Sequence, residues 1–333
     1  MEFGALFLGD PPVSRVVDLA KKAEDLGFDY VWLADSQVLW QDAWVTFTLI
    51  AEATETIKIG PCVTNPATRD PSVLAGLLGT LDEVSGGRMV CGIGRGDSAV
   101  RTVGRRPATV AQFEESIGII RDLVGGRSVE MNGQEVSFPW TEGREIEMWG
   151  AGYGPRALGV VGGTCDGYIL QLTDPDILEW IQPAVDRGAI AAGRDPADVR
   201  TMVSGPAYIT DDTNRAHAHD QLRWFAGSVA NHVADLIDAH GAGTFPKSLT
   251  EFMTGRPKYD YQQHGKVGNP STDYIDDEVN ERFCVIGTPE EHIEKLRVLE
   301  DRGADLYTIY FIHDNIEATM EAYGEHVIPA LKG

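Results

Sequence analysis

Four short segments hold the side chains best suited to chemistry: Ala34-Asp35-Ser36-Gln37, Cys62-Val63-Thr64-Asn65-Pro66, Gly92-Ile93-Gly94-Arg95-Gly96-Asp97 and Gly150-Ala151-Gly152-Tyr153-Gly154-Pro155-Arg156. In the last of these the glycines let a ligand approach the backbone, and Pro155 opens a helix whose free N–H groups and dipole face an anion. Arg156 adds a full charge if it turns inward. The competing reading is a tight strand-to-helix turn that uses its glycines for space. From Arg95 to Arg106 stand four arginines (Arg95, Arg101, Arg105, Arg106) and one acid, Asp97, in a chain whose net charge is −23. Such a local reversal suits a bound polyanion held by guanidinium forks, or else ion pairs with the abundant surface acids. Asp35 follows an apolar run and reads as a contact to a cofactor ring edge or as a helix cap. Asp97 reads as a general acid or base, or as a turn former. Trp40 and Trp44 pack more often than they touch substrate.

Other chemistries lack support. No GxSxG elbow occurs and no spacing sets any of the eight histidines beside a serine, so a hydrolase triad is not indicated. His217 and His219 are two apart and lie on different faces of a helix, which argues against a metal pair and for solvent exposure. Gly92 to Gly96 lacks the third glycine of a dinucleotide fingerprint. The four cysteines, Cys62, Cys91, Cys165 and Cys284, include no CxxC and indicate neither disulfides nor zinc. Reduced thiols, no glycosylation triplet and no signal-peptide pattern suit a cytoplasmic protein. The acidic balance repels nucleic acid and anionic membranes, and no apolar run approaches 18 residues.

The elements that must position these segments alternate. Phe3 to Leu8, Val13 to Leu26, Tyr30 to Ala34 and Ala43 to Ala53 begin a βαβα rhythm. It continues through Ile57 to Val63, Pro71 to Val84, Met89 to Ile93 and Val110 to Val124. The second half is less regular, with strands Ile146 to Trp149, Tyr168 to Leu172, Thr201 to Ile209 and Leu306 to Ile312. Eight strands close a (β/α)8 TIM barrel, expected here as one domain over residues 1–333, although an open doubly wound sheet fits the same rhythm. In a barrel the four segments fall on the C-terminal rim, where active sites lie. Residues 125–143 hold a hairpin, Ser128 to Val136, turned at Asn132-Gly133. An extended insertion at 241–282, between strands seven and eight, is a lid, a substrate wall or a dimer contact. Thr288-Pro289-Glu290-Glu291 marks a helix start and Arg302-Gly303 its stop.

Across nearly its full length the chain resembles the luciferase-like flavin and deazaflavin oxidoreductase superfamily. The likeness rests on Met1-Glu2-Phe3-Gly4, on Leu26-Gly27-Phe28-Asp29-Tyr30-Val31-Trp32-Leu33-Ala34-Asp35-Ser36, on Ile59-Gly60-Pro61-Cys62-Val63-Thr64-Asn65-Pro66 and on Gly152 to Ala157. Within it the chain is most similar to the methylenetetrahydromethanopterin reductase type, which uses the 8-hydroxy-5-deazaflavin coenzyme F420. The resemblance implies a non-proline cis peptide at Cys62-Val63, forming a bulge that backs the cofactor ring. It also implies that Asp35 and Asn65 meet the ring's polar edge and that Tyr153 and Gly154 offer backbone donors to the cofactor phosphate, with Gly152 and Arg156 beside them. Arg95 would meet an acidic tail. Asp97 and Trp40 fall where the deazaflavin-dependent glucose-6-phosphate dehydrogenase has an acidic catalytic residue and a catalytic tryptophan. Ser36 stands where that enzyme has its catalytic histidine, which puts sugar oxidation in doubt. Ser36 and Gln171 line the substrate pocket in this reading.

The expected function is hydride transfer between F420 and a small organic substrate in a homodimer or homotetramer. Two other functions fit the same barrel: an FMN-dependent monooxygenase using reduced flavin and oxygen, and a non-catalytic cofactor-binding barrel. Neither nucleic acid, membrane nor metal is expected as a partner.

Overall fold

The computed structural model describes residues 1–10, 12–141, 143–240, 247–250, 257 and 260–332. Eight parallel strands run β1 Glu2–Phe7, β2 Tyr30–Leu33, β3 Lys58–Pro61, β4 Val90–Ile93, β5 Glu147–Ala151, β6 Gly167–Leu170, β7 Arg200–Gly205 and β8 Leu306–Tyr310. They are hydrogen-bonded in the order β3-β2-β1-β8-β7-β6-β5-β4. Bridges from Ile59 to Met89 and from Thr64 to Ile93 complete the circle, so the fold is a (β/α)8 TIM barrel. Strands such as Tyr30–Leu33 and Val90–Ile93 are buried along their whole length, as parallel strands covered by helices outside and side chains inside must be. Closure depends on two glycines. A Cβ on Gly60 would lie 2.2 Å from the carbonyl oxygen of Val90, and one on Gly92 would lie 2.3 Å from that of Pro61. Any larger residue at either position forces β3 and β4 apart.

Outside, the helices show the expected 3-to-4 spacing of apolar residues; Val13–Asp25 buries Val16, Leu19, Ala20 and Ala23. Acids at loop ends start several of them, with Asp42, Asp70 and Asp174 each accepting first-turn N–H groups. The start at Thr288 is a full capping box with Glu291. The N-terminal end of the barrel is sealed by charge. Glu147 accepts from Tyr30 Oη at 3.2 Å, Trp149 Nε1 at 2.8 Å and Lys58 Nζ at 2.6 Å, and Arg200 pairs with Glu2. Ligand access is left to the opposite rim.

Three expectations need correction. The seventh strand does not run from Thr201 to Ile209. Pro206, with no N–H to donate, separates β7 from Ala207–Ile209, and that segment pairs in parallel with Val285–Gly287 in a small second sheet. The departure between β7 and β8 begins well before residue 241, with the helix Arg215–His240; residues 241–246, 251–256 and 258–259 of the insertion lie outside those described. His219 is not solvent-exposed. It is 4% accessible, packed where Asn280 Nδ2 donates to its carbonyl at 3.0 Å and Glu281 lies 3.2 Å from its Nε2. The hairpin turned at Asn132-Gly133 is present as Val129–Met131 and Gln134–Val136, with positive φ at both turn residues. Among the described residues no helix is long and apolar enough to cross a membrane.

Two further imidazoles, His292 and His313, are buried. Burial pushes His292 down to about 3 and His313 down to about 4. Because both values lie below that of an unfolded histidine, the unfolded chain binds the extra protons. Their contribution is therefore present above about pH 6.5 and lost as pH falls towards 4. The loss is about 3 kcal/mol for each by pH 4. Urea unfolding between pH 7 and 4 is expected to show it as proton uptake on unfolding, and His313→Gln to remove one proton from that uptake.

Candidate functional site

The loops after the strands enclose a cavity of about 810 Å³ at the C-terminal rim, within the ~300–1,000 Å³ usual for small-molecule sites. All four chemically promising segments open onto it. From the β2 loop come Asp35, Ser36 and Trp40; from the β3 loop Cys62, Val63 and Asn65; from the β4 loop Arg95 and Asp97. The β5 loop brings Gly152, Tyr153, Gly154 and Arg156, and Gln171 follows β6. Every site residue expected from the sequence thus reaches one cavity, although their surroundings differ.

Asp35 is an anchor. Its carboxylate accepts from Trp44 Nε1 at 3.1 Å, Thr64 Oγ1 at 2.7 Å, and Arg69 through both Nε and Nη2 at 3.1 Å. These bonds tie the β2 loop to the β3 loop and engage both oxygens. Asn65 Oδ1 likewise closes its own turn, accepting from the N–H groups of Ala67 and Thr68 at 3.1 and 2.9 Å; its NH2 group is the donor left for the cavity. Ser36 Oγ pairs with Ser98 Oγ at 2.6 Å and joins the β2 and β4 loops.

The Cys62-Val63 peptide is cis. Its neighbours hold it from both sides: Cys62 N–H donates to Leu33 O, Thr64 N–H to Gly92 O, and Gly94 N–H to Thr64 O, each at 2.9 Å. Burial pushes the Cys62 thiol up to about 12, so this cysteine is a neutral wall and not a nucleophile.

At the end of β5 the helix Pro155–Thr164 starts at Gly154 with no side-chain cap. The N–H groups of Arg156 and Ala157 are left to whatever occupies the cavity. Four arginines share this space, Arg95, Arg101, Arg106 and Arg156. Arg95 is fixed by Nε donating to Ala108 O at 2.6 Å, and its charge is disfavoured by burial and by the neighbouring Arg156 and Arg101. Arg101 pairs with Asp97 at 2.9 Å. Arg105 is turned away and donates to Ala67 O. Like charges held together beside an uncapped helix start form an anion site.

Across from these arginines lie groups that local motifs do not mark. Tyr261 donates to Asp97 Oδ1 at 2.8 Å, and Asn231 donates to Tyr261 Oη at 2.7 Å. His232 packs its ring on Tyr153, with centroids 5.5 Å apart. His264 lies against Trp40 at 6.1 Å, and burial pushes it down to about 4, which keeps it neutral. Tyr153 and Tyr261 are both pushed up, first by burial and then by Asp97. Asp97 Oδ2 is buried and, among the described residues, has no hydrogen-bond partner. Among the described residues no cluster of three or more His, Cys, Asp or Glu could hold a metal.

Residues 1–306 match the luciferase-like monooxygenase family. The chain is 29% identical to the 5,10-methylenetetrahydromethanopterin reductase of Methanolobus tindarius, covering 98% of this chain and all of that one. It is 27% identical to the F420-dependent hydroxymycolic acid dehydrogenase of Mycobacterium tuberculosis, covering 96% and 84%. Among solved structures, an F420-dependent secondary alcohol dehydrogenase in complex with an F420-acetone adduct superposes with a TM-score of 0.79 over the whole of both chains at 20% identity. With a family match over most of its length and a barrel to go with it, the chain belongs to the luciferase-like monooxygenase family.

Proposed function

We propose that the protein is an oxidoreductase that transfers hydride between coenzyme F420 and a small organic substrate. The observation that carries this reading is that the wall formed by Cys62 and Val63 and the uncapped helix start with its arginines open onto one cavity. A flat ring needs a shaped wall, and the anionic chain attached to it needs cations; a single molecule with both features fits this donor set. The F420 dependence named in the mycobacterial relative supports the choice of deazaflavin over FMN.

When bound, F420 supplies a hydride donor and acceptor in its central ring, chemistry no side chain offers. The chain's own residues supply place and field. Val63 and Cys62 wall the ring, with the Asn65 NH2 group at its polar edge. The N–H groups of Arg156 and Ala157 take the phosphate, and Arg95 with Arg156 takes the acidic tail. Trp40, Gln171 and the insertion residues Tyr261 and His264 wall the remaining space, where the substrate binds; for the insertion this means a substrate wall.

Titration of the purified protein with F420 and with FMN, followed by fluorescence, tests this directly. The expected result is saturable F420 binding, tighter than FMN. Tighter FMN binding with oxygen-dependent product formation would establish the monooxygenase reading instead.

A further inference from the structure

Asp97 has one oxygen engaged and one in need of a partner. Oδ1 accepts from Arg101 Nε at 2.9 Å and from Tyr261 at 2.8 Å. Tyr261 is itself held by Asn231, so its hydroxyl hydrogen is directed at Asp97. Among the described residues Oδ2, which is buried, has no hydrogen-bond partner, a costly state for a carboxylate oxygen. His232 Nε2 stands 3.9 Å from it. That is ion-pair reach but longer than a hydrogen bond, a separation that a bound ligand commonly tightens. His232 lines the cavity, and among the described residues neither of its ring nitrogens makes a hydrogen bond.

We propose that His232 is the residue that hands a proton to the substrate, with Asp97 as the positioning residue that orients its ring and balances its charge. This rests on the oxidoreductase reading above. It narrows the substrate to an acceptor whose reduction needs a proton: a carbonyl, an imine or an activated alkene. In such an acceptor the π bond breaks as carbon gains hydrogen with its electron pair from the reduced cofactor. The heteroatom, or the far carbon of the alkene, takes a proton from Nδ1 of the imidazolium while the Nε2 hydrogen stays with Asp97, and the ring becomes a neutral imidazole that solvent recharges. Other candidates are ruled out by their surroundings. His264 is kept neutral by burial, Ser36 is paired with Ser98, and Tyr261 is committed to Asp97.

Two readouts test this. In the cofactor-free protein at pH 7, long-range 1H–15N spectra are expected to show His232 protonated on Nε2, and Asp97→Asn to move the hydrogen towards Nδ1. An unprotonated Nε2 in the unaltered protein overturns the proposal whatever the cofactor. In rapid mixing with reduced F420, His232→Gln is expected to slow reduction of small ketone probes by about 10²- to 10⁴-fold, with F420 affinity retained. Preformed iminium salts, which need no proton, should be slowed far less; equal slowing of both probes overturns the proposal. Failure of F420 to bind would instead sink the cofactor reading, and the spectra alone would then decide the role of His232.

Discussion

Replacing Arg95 and Arg156 together by alanine is expected to raise the F420 dissociation constant about a thousandfold, since truncating one partner of a buried charged pair costs about 2–5 kcal/mol and each 1.4 kcal/mol is tenfold. Both guanidiniums line the cavity, and neither forms an ion pair among the described residues. The depressed basicity of Arg95 in the company of Arg156 and Arg101 means that an incoming anion relieves repulsion already present. The deazaflavin chromophore lacking phosphate and acidic tail is the control, because in the proposed binding mode it would touch the Cys62 and Val63 wall and not the arginines. Its affinity should be nearly the same for both proteins. Rising salt should weaken F420 binding to the unaltered protein and have much less effect on the variant. Arg156→Lys keeps the charge without the fork and should fall between the two. Arg95 also holds Ala108 O, so unfolding must be followed alongside. Equal loss for the tailed and tail-less compounds would move the anion site elsewhere.

What the chain discloses before folding follows from range. The post-strand segments are legible because each lies beside the apolar run that delivers it, and the barrel then brings their ends together without further instruction. The hairpin at Asn132-Gly133 and the helix start at Thr288 are legible for the same reason: turn and cap chemistry acts over three or four residues. The groups that escaped act over long separations. Tyr261 meets Asp97 across 164 positions, and His232 and His264 reach the cavity from the excursion between β7 and β8, where no spacing rule links them to a rim loop. The break at Pro206 had a visible cause, but the partner strand Val285–Gly287 is only three residues long and offers no period to recognise. Asp35 shows a subtler limit. Its position at a strand end was plain, yet whether its carboxylate serves a ligand or the protein depends on Arg69, Thr64 and Trp44, which belong to other elements.

That question is open to experiment. Asp35 is 4% exposed and accepts four hydrogen bonds, so Asp35→Ala should destabilise the protein by about 3–5 kcal/mol, the usual result of removing one member of a buried ion pair. Most of that cost lies with the partner left behind. Arg69 keeps Asp42 at 2.8 Å but loses its bidentate contact, and the Trp44 and Thr64 donors are stranded. Converting Arg69 to methionine in the same chain removes the unbalanced charge and should restore a large part of the stability, measured by urea unfolding. F420 affinity then separates the two roles. An anchor acts by holding the β2 loop to the β3 loop beside Cys62, so affinity should recover with stability in the Asp35→Ala, Arg69→Met protein. A carboxylate that itself touched the ring would be lost in both variants, and affinity would stay low while the fold recovered.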